Sequence, residues 1–519
     1  MMGTKGRAFT PLVNVSLEEL VPATHFYRHV ERTLDLSFVR DLVAPLYAAD
    51  GRPSIDPIVF FKLQLVLFFE GLRSERHLMR LVADHLGARW YVGYDLDEAL
   101  PDHSSLTKIR ERYGLDPFRR FFDAIVEQCR TAGLVWGQEV YVDATQVDAN
   151  ASLDSVTPRF AVEEHLRNLF GSDDALVQEG AAGDVDVDAD PSPAPPVPPA
   201  PPVLPAPVAL PTVAGDDVAA ANKARHDWVE GAGHPQRAVT HAHYQRVADL
   251  NVSTTDPDAT HMRHKGGGVH LGYHTHCIVD GGKARIILAT LVTPAEVMEN
   301  QPLRDMLWRV CFRWRLRPDH VTGDTTYGTA ENIRAIEDAG IRAYMPLPDW
   351  DKRTPFFGKQ SFAYDPARDA YTCPQGALLP FRHPKNTEHV LVYQADAATY
   401  NACVVKEHCT AGAHGRLISR DFDEDYLDRV RGYHGTEPYK KAMGKRKVWV
   451  EPLFAEAKDW HGLRRFRLRH LEKVNGEALL TTAGQNLKRL LSKRGWGRRP
   501  WPGGALGLAL APFMAPTAF

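Results

Sequence analysis

The chain has 519 residues, room for about three domains at roughly 150 residues each, which excludes a single small module. Its 62 Lys and Arg nearly cancel 65 Asp and Glu, and 44% of its residues are apolar, a balance ordinary for a soluble globular protein and silent about partners. Six cysteines (Cys129, Cys277, Cys311, Cys373, Cys403 and Cys409) are too sparse for a disulfide-stapled secreted fold, and the first residues lack the apolar core of a signal peptide. The strongest apolar run, Ile58 to Leu72, is short and carries Lys62 and Glu70, while the apolar tail from Ala505 is broken by Pro512 and Pro516, so no membrane segment is expected. A cytoplasmic, reducing compartment is the expectation.

Residues 1–135 read as an all-helical domain. Asp56 followed by Pro57 is an N-cap with proline at the first helical position, opening a helix that carries Val59, Leu63, Val66 and Leu67 and stops at Gly71. Ser74 caps a second helix with Leu78, Leu81, Val82 and Leu86 on one face. Ser104 or Ser105 starts the basic segment LTKIRERY, closed by Gly114, and Asp116 with Pro117 opens a helix that ends near Gly133. Such short helices suit a helix-turn-helix reader of DNA, and equally any small bundle.

At Gly137 the pattern changes. GQEVYVDATQVDAN predicts a strand with Asp143 at or near its end. The stretch 161–249 then reads as an insertion: Glu163 to Asp190 holds nine acids and one base, and Pro191 to Pro211 alternates Pro, Ala and Val, a solvated polyproline II or disordered linker of at most about 65 Å. Order resumes near Val252. VHLGYHTHCIVD and ARIILATLV form two strands joined at Asp280-Gly281-Gly282-Lys283, followed by a helix over 301–314, the strand HVTGD, a helix ending at Gly340 and the strand IRAYMPL. Residues 349–430 are less regular, with β-like pieces such as HVLVY, and helix dominates from about Lys445 to Leu491.

Among 65 acids, spacing alone selects nothing, so local context must. Asp143 closes an apolar strand; Asp324 does the same in VTGDTTYG, pointing into whatever crevice the sheet forms; Glu451 opens VEPLFAEAKDWHGLRRFRLRHLEKV, a helical and very basic segment. Asp148 is a rival to Asp143, and capping a turn is the ordinary role of either. Between Lys440 and Arg499 stand 17 Lys and Arg against five acids, and Arg464, Arg465, Arg467 and Arg469 around Phe466 read as a strip for phosphate contact. Lys458, seven residues after Glu451, shares its helix face.

These residues carry a resemblance. From DPIVFFKLQLVLFFEGLRSERHL through YVDATQVDANAS, STTDPDA, GYHTHCIVD and GDTTYG to VEPLFAEAK and GLRRFRLRHLEKV, the chain resembles the DDE transposases of bacterial insertion elements. The resemblance implies an α/β catalytic core of the RNase H or retroviral-integrase type, a mixed sheet flanked by helices, split between 136–160 with 250–348 and 431–500, with a partly β insertion before the last catalytic helix and a tail over 501–519. It implies Asp143, Asp324 and Glu451 as catalytic ligands of two Mg²⁺ ions, with Mn²⁺ as a substitute, and Lys458 as a phosphate contact. Hydrolysis would free a 3′-hydroxyl at the element end and strand transfer would join it to target DNA. The partners implied are double-stranded DNA (terminal inverted repeats and target) and further copies of the chain, a dimer or higher oligomer associated with the nucleoid. A nuclease without strand transfer and a decayed, DNA-binding transposase are the alternatives.

Departures from the family pattern are local. Where relatives often carry Tyr and Arg seven and four residues before the glutamate, this chain has Gly444 and Lys447, with Arg446 keeping the charge. Cys373, Cys403 and Cys409 resemble the remnant of a cysteine cluster whose further member is replaced by Tyr400; reduced free thiols are the expectation, and a zinc site completed by His383, His389, His408 or His414 is the alternative. His270, His274 and His276, with His264 nearby, fall by strand alternation on one face, expected to be an exposed polar surface.

Overall fold

The computed structural model describes residues 15–47, 54–158, 251–264, 267–349, 351, 355–412 and 414–497. The acidic and proline-rich segments and the tail lie outside the described residues.

The N-terminal part is a bundle of α1 (Leu17–Leu20), α2 (Phe26–Thr33), α3 (Phe38–Val43), α4 (Pro57–Phe69), α5 (Glu75–Asp84), α6 (Leu86–Val92), α7 (His103–Tyr113) and α8 (Asp116–Thr131). Asp56 caps α4 by accepting from the Ile58 amide (2.8 Å), and Ser74 caps α5, as the sequence predicts. Leu86 does not continue α5: the His85 imidazole accepts from the Ala88 amide (3.0 Å) and starts a new helix at right where the apolar pattern ran on. The cap of α7 is Asp102, not Ser104 or Ser105, and Asp116 is the first helical residue of α8 rather than its cap. The basic face of α7 is partly turned inward, since Arg110 is buried and pairs with the buried Glu75 of α5.

The central sheet holds β1 (Glu139–Asp148), β4 (Thr260–Arg263), β5 (Val269–Asp280), β6 (Ile287–Pro294), β7 (His320–Thr322) and β8 (Arg342–Tyr344). Strands β4 and β6 lie beside β5, which is followed by β1, β7 and β8; β5 is antiparallel to its neighbours, whereas β1, β7 and β8 are parallel. Asp143 is not at the end of β1. Thr145 and Val147 continue the β pattern, and the pairing with β5 runs on to Asp148 opposite Gly272, so Asp143 sits mid-strand opposite Cys277. In the β5–β6 turn the left-handed residue is Arg285, and the Asp280 carboxylate gathers the Trp136, Gly137 and Gly282 amides. A short pair, β2 (Val156–Pro158) against β3 (Asn251–Ser253), holds the two ends of segment 159–250 side by side.

Two helices, α9 (Leu303–Trp314) and α10 (Ala330–Asp338), flank the sheet. A separate antiparallel sheet, β9 (Ala363–Asp365), β10 (Ala370–Thr372), β11 (Leu378–Lys385), β12 (Val390–Gln394) and β13 (Leu417–Asp421), has its own small core of Phe362, Tyr371, Leu379, Tyr393 and Ile418. The C-terminal helical stretch is several elements: α11 (Ala397–Asn401) precedes it, and α12 (Glu424–His434), α13 (Glu437–Trp449), α14 (Glu451–Trp460) and α15 (Leu471–Lys493) compose it. Pro452, which lacks an amide proton, sits in the first turn of α14 and so starts that helix.

Helix α15 joins the parts, packing on α8, α4 and β6 at once. Its Asn475 takes both backbone groups of Val292 (2.8 and 2.9 Å), and its Asn486 does the same to Ile287 (2.9 and 2.8 Å). Strand β6 is thereby satisfied along its outer edge by side-chain amides instead of another strand. At Gly484 a Cβ would stand 2.5 Å from the Phe68 ring, so only glycine admits α4 this closely.

Candidate active site

Alternation along β1 turns Tyr141, Asp143 and Thr145 to one face of the sheet. Asp143 is buried, its Oδ1 accepting from the Ala144 amide (3.0 Å) and its Oδ2 from Arg446 Nη2 of α13 (3.0 Å). Burial raises this carboxyl to about 6, with Asp324 adding to the shift and Arg446 opposing it. The facing Cys277 thiol is likewise pushed up to about 12 by burial.

Asp324 follows β7, the parallel neighbour of β1. Its Oδ1 caps the turn Thr325–Tyr327 through the Thr326 amide (2.9 Å), and its Oδ2 lies 3.6 Å from the same Arg446 Nη2. Gly323 makes this close approach possible, because a Cβ there would meet Val142 and Tyr327 at 3.0–3.1 Å. One guanidinium therefore joins two carboxylates from adjacent strands. Arg446 Nε and the Tyr327 hydroxyl are both buried without a hydrogen-bond partner, and burial together with Asp143, Glu299 and Asp324 keeps the hydroxyl protonated against the opposing charge of Arg446.

Glu451 is exposed on the first turn of α14, just past the buried Val450, and no described residue hydrogen-bonds or ion-pairs with it. The described groupings of three side chains close enough to share an ion do not include Asp143, Asp324 and Glu451 together. The structure brings the two aspartates together through Arg446 and leaves the glutamate on the adjoining surface. In donor chemistry the pair fits a hard divalent cation, offering carboxylate oxygens without imidazole or thiolate, with the Arg446 guanidinium supplying the counter-charge to both.

Two family matches bear on this site. Residues 15–112 match a transposase domain (DUF772), and residues 372–491, which include Arg446 and Glu451, match a transposase DDE domain. Together the two matches support an insertion-element DDE transposase. No curated protein and no solved structure matches it. As a transposase it has DNA as a kind of partner, and among the described residues no helix is long and apolar enough to cross a membrane.

The basic residues of the transposase divide sharply once placed. Lys447 is exposed on α13. Lys445, missed by sequence reasoning although it stands beside Arg446, bonds Glu139 at the start of β1 (2.6 Å) under Trp136 and Trp449. Lys458 lies beside Asp148 and Arg464 toward the far end of β1, with burial and Arg464 lowering its pKa. Arg464 is 72% exposed and among the described residues pairs with Asp459. The rest of the strip is tied to the fold: the exposed Arg465 donates to the Ala149 and Ala151 carbonyls (2.8 and 3.0 Å), the exposed Arg469 to the Asn150 carbonyl (3.0 Å), and the half-buried Arg467 to the buried Glu75 (3.2 Å).

The cysteines are free thiols, and none belongs to a metal-capable grouping of the described residues. Cys373 Sγ accepts from the Gln375 and Ala377 amides (3.3 Å each), while Cys409 packs with Tyr400 in the small core. The expected exposed histidine face is corrected: His274 and His276 are buried, bonding the Val297 carbonyl (3.1 Å) and Thr293 hydroxyl (2.8 Å), because α9 and its approach cover that face of β5.

Proposed function

We propose that this transposase cuts and joins DNA phosphodiester bonds at the ends of its element, with Asp143 and Asp324 as the inner carboxylates and Glu451 as the third. The single observation that carries the reading is the shared hold of Arg446 on Asp143 and Asp324, from a helix that ends at the doorstep of Glu451. The strand order β6, β5, β1, β7, β8, with β5 reversed, supports an RNase H-like core.

Divalent ions held by these carboxylates would supply activation of the attacking oxygen and stabilisation of the leaving one. Asp143 is set mid-strand in β1, paired with Cys277 of β5. Asp324 sits on a capped turn. Arg446, half-buried, hydrogen-bonded to Asp143 and ion-paired with Asp324, keeps the aspartates from repelling one another, and its guanidinium is the group suited to transfer to a phosphate once the carboxylates gain another counter-charge. Arg464 and Lys447, exposed on either side, are the cations available to the DNA backbone. Isolation of Glu451 favours the DNA-binding-only alternative, so the test must separate the two. Asp143→Asn is expected to abolish cleavage and end joining in Mg²⁺ while end-binding persists; cleavage at the wild-type rate would remove Asp143 from the reaction, and a wild-type protein that binds ends but never cuts would favour the binding-only reading.

A further inference from the structure

At the other end of β1, on the opposite face of the sheet, stands a second cluster of unlike chemistry. Asp148 Oδ1 lies 2.8 Å from His264 Nε2, and the ligand atoms of Asp148, His264 and His270 all fall within 4.8 Å of one another. The two histidines flank the turn between β4 and β5, where Gly267 (φ 92°) and Gly268 (φ 88°) adopt left-handed conformations closed to ordinary side chains. That turn brings the two imidazoles to a centroid distance of 4.5 Å, edge to face. Asp148 comes from the neighbouring strand and is held rigidly: its amide donates to the Arg464 carbonyl (3.0 Å), and its carbonyl accepts from the Phe466 amide (2.8 Å).

We propose that Asp148, His264 and His270 form a binding site for a borderline divalent transition ion of the Zn²⁺ class, separate from the all-carboxylate site at Asp143. Two imidazole nitrogens and one carboxylate oxygen are donors that Zn²⁺, Co²⁺ and Ni²⁺ prefer and Mg²⁺ does not. At bond lengths of about 2.0–2.1 Å, tetrahedral ligand atoms stand about 3.3 Å apart, so the set closes on an ion by side-chain rotation of about 1.5 Å or less. Five residues of strand separate Asp148 from Asp143, about 16 Å, and the odd offset puts them on opposite faces. Lys458 approaches the same carboxylate, and the ion must bind against that charge. Because the Asp148 backbone is bonded to residues 464–466, an ion here ties the β4–β5 hairpin to the arginine segment.

The test uses the full chain, free of any histidine tag and stripped by chelator, titrated with Co²⁺ and then Zn²⁺, with circular dichroism to check folding. The expected result is one ion per chain, a tetrahedral Co²⁺ visible band, and at least about tenfold weaker binding in His264→Gln and in His270→Gln. A variant with Cys373, Cys403 and Cys409 changed to Ser should bind like wild type. Absence of binding, unchanged affinity in both histidine variants, or loss in the cysteine variant alone overturns the proposal.

Discussion

The two ends of β1 hold charge in opposite ways. At Asp143, carboxylates from two parallel strands converge on one half-buried guanidinium, with Asp143 itself buried. At Asp148, five residues on, Arg465 and Arg469 spend their guanidiniums on backbone carbonyls while staying exposed, and the half-buried Arg467 reaches Glu75 of the helical domain. A count of charges along a segment measures potential, not availability. The first end gathers two carboxylates on one guanidinium; the second ties the sheet to the N-terminal bundle.

The comparison breaks most visibly in activity. In Mg²⁺-dependent cleavage of element ends, Asp143→Asn should fall to the background of a metal-free control, while Asp148→Asn retains measurable cleavage. Equal loss in both would erase the distinction between the ends of β1. Next in size is stability at the stitched end. Arg110→Ala should cost about 3–5 kcal/mol by denaturant unfolding, because it strips a buried partner from Glu75. Arg467→Ala, removing the other partner, should cost about 1–3 kcal/mol. A loss under about 0.5 kcal/mol for either would return them to the surface class.

Asn486→Ala should cost about 1–3 kcal/mol, since it leaves both backbone groups of Ile287 unpaired on the sheet edge. Arg464→Ala is the counterpart: stability unchanged within about 0.5 kcal/mol, but a salt dependence of DNA binding flatter by about one ion. An unchanged salt slope would take Arg464 off the DNA.

The smallest effect concerns pH. Burial alone would raise the Glu456 carboxyl, but His461, Arg489 and Lys488 hold it well below the usual carboxylate range. Below about pH 4.3 the unfolded chain takes up a proton there that the folded chain refuses, so stability present above that pH is lost as pH falls. The melting temperature of the wild type should therefore drop more steeply than that of Glu456→Gln between about pH 5 and 3. Parallel curves would show that the carboxylate gains nothing from its partners.

Local rules made much of this legible. Asp56 and Ser74 cap helices where expected, the β5–β6 hairpin and the helices over 303–314 and 330–338 are in place, and Asp324 leaves its strand edge as read. Two local expectations give way in the structure. Cross-strand pairing with β5 carries β1 past Asp143 to Asp148. Helix α7 starts earlier than a cap at Ser104 or Ser105 would set it, because Asp102 accepts from the Ser104 amide.

From its sequence alone this chain determines a helical N-terminal part, a mixed α/β core and a basic C-terminal segment, because caps, strand alternation and charge are short-range properties. Only the tertiary structure decided that Arg446 would bind Asp143 and Asp324, that Arg465, Arg467 and Arg469 would serve the fold, that Asn475 and Asn486 would close the sheet edge, and that His264 and His270 would meet Asp148. Each of these joins residues more than a hundred positions apart, and such meetings are selected by packing and by the demand that buried polar groups be paired. No spacing along the chain encodes them.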